Sequence, residues 1–401
     1  MKARRLPQEG IVLEVIENLQ EIIWGKIEEK VKGFIKELIE GLLEEELKEK
    51  LGADRYERSE ARMGYRNGHY ERDLITRFGL VEDIRVPRTE SGGMGFEVFG
   101  RYEQRRRDVD AAIGMLFLNG VSTRKIRGIA KLIYGREVSP QTVSNTLSFL
   151  DEELSRFRDK PIDDTVEYLV VDGIYTKVRE IGIEGKVMLC AFGIFRDSGD
   201  GQGRKREILS FRLTDVEDEA SWRGFLADLK GRGLLGKNLE LVISDRNPGL
   251  LKALKGMYPF VRVQTCIAHR MRNVAVKIRK VNREHCLGEA KLIFGADNKR
   301  EAIKRFKVWE RKWVIEEERA VRCMRKDFFS CLHYYDVDRA LWKTVRTTNI
   351  LERAFREVRR RTRPMNNFFT NEASADRIMY GITDMLNKNW KGNTLKPIST
   401  I

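Results

Sequence analysis

The chain predicts an α/β fold: a mixed sheet interrupted by an all-α insertion and preceded by N-terminal helical, small β and helix-turn-helix regions. Three observations predict it. Apolar runs of strand length are concentrated between Tyr168 and Thr265. From about Lys277 to Lys343 only helical periodicity appears. Before Pro161 the pattern is helical apart from one short stretch of period two.

At 401 residues the chain can hold two or three domains with full cores. Charged residues make up 34% and hydrophobic ones 41%, a globular balance. The net charge of +15 calls for an anionic partner, and nucleic acid is the commonest; an acidic membrane surface is the rival. The uninterrupted apolar stretch Ala111 to Leu118 is far too short to span a bilayer. No apolar segment follows the charged start Met1-Lys-Ala-Arg-Arg5, so no secretory signal is read. Five scattered cysteines suit a reducing cytoplasm better than a disulfide framework.

Taken in order, residues 1–60 show apolar positions at helical spacing, with Ile27, Val31, Phe34, Leu38 and Leu42 along one face. Gly25, Gly33 and Gly41 weaken a continuous rod, so two or three amphipathic helices are expected, packed in a bundle or used for dimerisation. Residues 61–106 form a small β unit: Leu74–Phe78, a turn at Gly79, then Val81–Val86 closed by Pro87. It is dense in arginine (Arg62, Arg66, Arg72, Arg77, Arg85, Arg88, Arg101), which suits phosphates or simply a solvated face.

Residues 107–157 read as three helices. Ser122 caps a helix ended by Gly135, and Ser139-Pro140 starts the next as cap and first residue, which is helix-turn-helix spacing. Gln141, Thr142, Ser144 and Asn145 project from that last helix and could bond base edges, while Arg124 and Lys125 suit phosphates. A plain helical hairpin is the alternative.

After Pro161 come strands at Tyr168–Val171, Val187–Phe195 and Ile208–Leu213, joined by connections short enough for antiparallel pairing. A helix near Glu219–Lys230, strand Leu239–Ser244, a helix from Asn247-Pro248, strand Phe260–Thr265 and a helix from about Ala268 follow. Three antiparallel strands and then strand–helix crossovers is the order of a ribonuclease-H-like fold. Its domain is placed at 158–276 and 344–390, with 277–343 as the all-α insertion, where Trp309 and Trp313 read as core or as a base-stacking surface.

Three acids stand out against this basic background. Asp172 lies in the first of these strands, Asp245 ends the fourth, and Glu352 opens a helix that carries Arg353, Arg356 and Arg360 on another face. A carboxylate in an apolar framework needs a cation, and two Mg²⁺ (or Mn²⁺) ions held by Asp172, Asp245 and Glu352 would suit phosphoryl transfer on a polyanion. Cys266 and His269 form a Cys-x-x-His unit, for which hydrogen bonding or DNA positioning by His269 is preferred to structural zinc.

Several strings in order resemble the Mutator-type insertion-sequence transposases of the DDE class: Gly120-Val-Ser-Thr-Arg-Lys125, Val171-Asp172-Gly-Ile-Tyr-Thr-Lys-Val-Arg179, Ser244-Asp245-Arg-Asn-Pro-Gly-Leu250, Cys266-Ile-Ala-His269-Arg270 and Thr347-Thr-Asn-Ile-Leu-Glu352-Arg353. The similarity runs from roughly Ala61 to Arg363. It implies that Asp172, Asp245 and Glu352 are the catalytic triad, that 107–157 binds the element's terminal inverted repeats, and that the insertion is a family trait. Arg246-Asn247 after the second acid replaces the more usual small residue. The expectation is thus a cytoplasmic, nucleoid-associated enzyme that binds double-stranded DNA and acts as a homodimer, away from any membrane. A ribonuclease-H-like nuclease or resolvase, or a non-catalytic DNA-binding regulator derived from a transposase, are the alternatives.

Overall fold

The computed structural model describes residues 8–391 apart from 59, 61, 91–94, 99, 101–102, 180–181, 200–202 and 364–367. Arg101 of the basic β region therefore lies outside the described residues. The chain divides into two compact units, Met1–Ser148 and Phe149–Ile401.

In the first unit the N-terminal segment is one helix, α1 (Gln8–Leu51), where two or three were expected. Gly25, Gly33 and Gly41 sit inside it with nothing within 4 Å of a Cβ added to them. A helical glycine costs about 1 kcal/mol relative to alanine, but it ends a helix only where the backbone turns left-handed, and the surrounding Glu, Lys, Leu and Ile are able helix formers. Among the side chains described from Leu19 onward, the packed ones lie in the C-terminal part of α1. Leu43 is buried with Leu74, Val81, Ile84 and Val86 of a hairpin, β1 (Arg66–Thr76) and β2 (Gly79–Thr89). Its earlier turns leave Trp24, Ile27, Val31, Phe34 and Leu38 exposed, Phe34 to 66%.

Both strands outrun the expected runs. Pro87 lies within β2 opposite His69 rather than closing it, which a two-stranded sheet tolerates because each strand is an edge. Gly79 takes φ +106 at the turn. Several hairpin arginines are committed internally: Arg66 pairs with Glu44, and Arg72 donates to the Glu103 carbonyl.

Three short helices complete the unit: α2 (Arg107–Leu118), α3 (Thr123–Tyr134) and α4 (Pro140–Thr146). Ser122 Oγ accepts from Lys125 N and Ser139 Oγ from Thr142 N, while Gly135 closes α3 in the left-handed conformation. The last of the three expected helices is broken. A 3-10 turn at Leu147–Phe149 separates α4 from α5 (Leu150–Asp159), which belongs to the second unit.

That second unit is built on a five-stranded sheet. β3 (Val166–Arg179), β4 (Ile183–Phe195) and β5 (Arg206–Thr214) are antiparallel neighbours, while β6 (Leu241–Ser244) and β7 (Arg262–Thr265) run parallel to β3. The order across the sheet is β5-β4-β3-β6-β7, with β3 at the centre. Crossover helices α6 (Glu219–Gly231) and α7 (Pro248–Met257) bury Trp222, Phe225, Leu226 and Leu250 with Leu169, Val171 and Val242 of the sheet.

After α8 (Ile267–Ala275) the chain is helical through α9 (Arg283–Ile293), α10 (Lys299–Trp313), α11 (Glu318–Lys326) and α12 (Trp342–Val345). Trp309 and Trp313 are core residues here: both are buried, and their indole N–H groups donate to the Cys286 carbonyl at 3.0 Å and Glu289 Oε2 at 2.8 Å. The chain then returns through α13 (Asn349–Thr362) and α14 (Glu372–Lys391). No helix among the described residues is long and apolar enough to cross a membrane.

One close approach anchors the acid-bearing loop. A Cβ on Gly249, in the first turn of α7, would stand 2.7 Å from the backbone of Asp218 and Glu219 at the start of α6. Backbone cannot yield as a side chain tip does, so Gly249→Ala is expected to destabilise the fold by about 1–3 kcal/mol. A lower thermal midpoint in calorimetry checks this; an unchanged midpoint would mean that the two helix starts separate freely.

Candidate active site

Parallel pairing sets two of the acids side by side. Val170 of β3 stands opposite Ile243 of β6, and two residues further along each chain are Asp172 and Asp245. Alternation along β3 returns Asp172 to the face of Val170, and Asp245, one residue past the end of β6, is near enough for its charge to act on Asp172. Asp172 is only 6% exposed, between β6 and the fully buried Cys190 of β4. Burial pushes its carboxyl up to about 7, opposed by the His269 charge and the Thr348 hydroxyl and reinforced by the Asp245 charge. Its Oδ1 accepts from Gly173 N at 3.0 Å.

Asp245 belongs to a tight turn. Its Oδ1 accepts from Asn247 N at 3.0 Å, and Asn247 in turn caps α7 by accepting from Gly249 N and Leu250 N. Arg246 between them adopts φ +67, a left-handed backbone unusual for arginine.

The third acid arrives by way of a small hydrogen-bonded cluster. Cys266 at the end of β7 donates its backbone N–H to Ser244 O at 2.7 Å, and Ile267 N donates to Arg346 O at 3.0 Å. Thr348 N donates to Cys266 Sγ at 3.3 Å, and the Thr348 hydroxyl meets His269 Nδ1 at 3.4 Å. Thus the start of α13 is held against α8. Glu352, one turn into α13, has Oε1 3.7 Å from His269 Nε2 and is also bonded by Arg272.

His269 is therefore a member of the acid cluster. Its hydrogen bond to Cys266, against the opposing effect of burial, raises the ring from its usual 6.5 to about 9, and the Asp172 charge adds to this. Burial lifts the Cys266 thiol, yet the His269 ring brings it net below its ordinary value. Among the described residues no group of three or more His, Cys, Asp or Glu side chains is arranged to hold a metal, neither around Cys266 and His269 nor with Asp172, Asp245 and Glu352 together.

That arrangement also bears on the acids. The carboxylate oxygens of Asp172 and Asp245 are hard donors of the kind Mg²⁺ takes, and no Lys or Arg lies at ion-pair distance from Asp172 among the described residues. Those two fit a divalent cation, whereas Glu352 is engaged by Arg272 and His269.

Sequence reasoning missed three members of the site. Thr348 and Arg272 could have been found, since Arg272 shares a face of α8 with His269 at three-residue spacing and Thr348 precedes the helix of Glu352. Glu217 carried no such signal. It precedes α6, accepts from Tyr175 Oη at 3.2 Å and from Trp222 Nε1 at 3.3 Å, and burial together with the Asp245 charge raises its carboxyl.

The remaining candidates lie elsewhere. Arg124 and Lys125 are exposed on the first turn of α3, and Gln141, Ser144 and Asn145 on α4, where Thr142 is half-buried. Gln141 Nε2 donates to Asn145 Oδ1 at 2.8 Å. Arg353, Arg356 and Arg360 are exposed on α13, and neither Arg356 nor Arg360 pairs with Glu352; Arg360 is 3.1 Å from Glu357.

The family model described as "Transposase, Mutator family" matches residues 8–393. The chain is 35% identical over 346 residues to the transposase for insertion sequence element ISRM5 of Rhizobium meliloti (strain 1021), covering 86% of this chain and 84% of that one. It is 32% identical over 390 residues to the transposase for insertion sequence element IS256 in transposon Tn4001 of Staphylococcus aureus, covering 96% and 97%.

The Cys266–His269 contact generates a measurable titration. A ring raised from 6.5 to about 9 contributes stability that is fully present below 6.5 and lost as pH rises through 9. Cys266→Ala is expected to bring the His269 midpoint down toward 6.5 in an NMR titration. A midpoint unmoved by the substitution would assign the cationic ring to Asp172 and Glu352 alone.

Proposed function

The chain belongs to the Mutator family of transposases, and on that premise we propose that it binds the ends of its own element and catalyses DNA strand cleavage and strand transfer with Asp172, Asp245 and Glu352 as a DDE triad. The observation that carries the reading is the register of β3 and β6, which brings two acids to one level of adjacent strands while α13 holds the third beside His269. The strand order β5-β4-β3-β6-β7 supports a ribonuclease-H-like core.

Asp172 and Asp245 would hold divalent cations, with Glu352 joining them on release from Arg272. Mg²⁺ or Mn²⁺ bound there, as two ions, would supply Lewis-acid stabilisation of the attacking and leaving oxygens. The protein's own groups do the rest. Asp172, desolvated and fixed by Gly173 N, keeps one geometry through the reaction. His269 and Arg272 hold Glu352 in place beforehand and are near enough to face phosphate oxygens once it turns. Water attacks the phosphodiester at the element end, freeing a 3′-hydroxyl and leaving a 5′-phosphate; that hydroxyl then attacks a target phosphodiester in line and displaces the target strand's own 3′-hydroxyl, with no covalent protein intermediate.

Around that centre, Arg353, Arg356 and Arg360 offer a phosphate-binding face on the helix of Glu352, and α3 and α4 are the proposed reader of the terminal repeats. Two ends must be held together, so the active form is proposed as a homodimer. The exposed stripe from Trp24 to Leu38 on α1 alternates at spacings of three and four, which is the pattern of a self-pairing helix. The enzyme would work on cytoplasmic, nucleoid DNA.

Asp172→Asn, Asp245→Asn and Glu352→Gln are each expected to abolish Mg²⁺-dependent end cleavage in a gel assay while leaving binding to end DNA intact, because an amide keeps the shape and loses metal affinity. Near wild-type cleavage by one variant removes that residue from the triad. Replacing both Arg356 and Arg360 by alanine should weaken binding to all duplexes and flatten log K against log salt by about 1.8, at about 0.9 per lost phosphate contact. A slope that does not move makes this face of α13 merely solvated.

A further inference from the structure

The turn carrying Asp245 opens on its far side into a cleft of about 970 Å³. One wall is the start of α7, another is the exposed side of α8, and the third is α11 from the all-helical block. Charge is distributed unevenly within it. On the floor, Asp327 bonds Arg270 and lies 3.6 Å from Arg246 Nε, so one carboxylate offsets part of the charge of two guanidinium groups. The wall is different. Lys277, Arg319, Arg322 and Lys326 are exposed, and no carboxylate lies within 4.0 Å of any of them among the described residues.

Arg319, Arg322 and Lys326 follow at spacings of three and four, so they form one row on α11. A row of uncompensated like charges on one face is self-repelling, and the chain bears it where a polyanion replaces the counterions. Arg246 connects the row to the acids. Its left-handed backbone, adjacent to Asp245, is one that residues other than glycine rarely adopt. A glycine would adopt it readily, but only a long cationic side chain there reaches Asp327 and lines the cleft.

We propose that this cleft is the track for the DNA strand that continues past the scissile phosphate, with Arg319, Arg322 and Lys326 on its phosphates and Arg246 at the junction with the acids. The inference rests on the reading of those acids as a DNA-cleaving centre. The all-helical block thereby acquires a role, since α11 steers the strand so that one phosphodiester reaches Asp172 and Asp245.

The test is equilibrium binding of the full chain without divalent metal, using element-end duplexes that stop at the cleavage position or extend beyond it on either side. Arg322→Ala with Lys326→Ala is expected to leave binding of the stopped duplex at the wild-type level. On one of the extended DNAs it should lower the salt slope by about 1.4 if the strand is single and about 1.8 if it is duplex. The charge-keeping pair Arg322→Lys with Lys326→Arg should restore the slope. Lys304→Ala with Lys307→Ala, exposed cations on α10, is the control for lost net charge. Equal slopes for wild type and the α11 variant on all three DNAs, or an equal loss from the α10 control, would overturn the proposal. Failure of the triad reading has a different signature, normal cleavage by Asp172→Asn, and leaves this comparison readable.

Discussion

A buried carboxylate at the centre of the sheet constrains much of the second unit. Asp172 lies on the middle strand with β4 on one side and β6 on the other, and moving a charge out of water there costs several kcal/mol unless partners compensate. Beside the amide of the adjacent Gly173, its partners come from distant parts of the chain: the Thr348 hydroxyl ahead of α13 and the His269 ring on α8. Each is itself tied down. Cys266 receives the Thr348 amide through sulfur and is joined to Ser244 through its own amide, so the ends of β6 and β7, α8 and α13 form one hydrogen-bonded knot.

The knot reconciles two charges that pull in opposite directions. A chain of net charge +15 suits a polyanion, yet under the proposed function the acids would have to stay unneutralised to take a cation. The structure separates these demands in space. Asp172 has no arginine or lysine at ion-pair distance among the described residues, while Glu352 is held by Arg272; on α13, Arg353, Arg356 and Arg360 are exposed, away from the buried side formed by Leu351, Phe355 and Val358, whereas Arg361 is buried and paired with Glu357. One helix thus carries an acid toward α8 and three cations toward solvent, as the 3.6-residue period allows.

The first unit obeys another rule. Its short helices are defined by side-chain caps at Ser122 and Ser139 and by the left-handed Gly135, all local interactions. The long α1 is helical by composition and, among its described side chains, is packed only near its end, where Leu43 joins the hairpin core. The remaining apolar stripe buries nothing within this unit, and burial of apolar surface is the largest driving force available to it.

The strands were legible because each is a short apolar run with turn residues at its ends; Val187–Phe195, for example, is observed as the buried part of β4. Caps at Ser122, Ser139 and Asn247 were legible because capping depends on neighbours in sequence. Asp172, Asp245 and Glu352 stood out as acids in apolar or basic surroundings, though their proximity depended on a strand register that no local pattern contains. The continuity of α1 was not legible, because glycine is a weak signal in a long helix with many strong formers. Local chemistry, acting within a few residues, determined the elements and the identity of the acids. Only the tertiary structure decided that Glu352 faces Arg272 and His269, that Glu217 stands beside Asp245, and that α11 flanks the Asp245 turn, because each contact joins segments whose meeting is set by sheet order and helix packing.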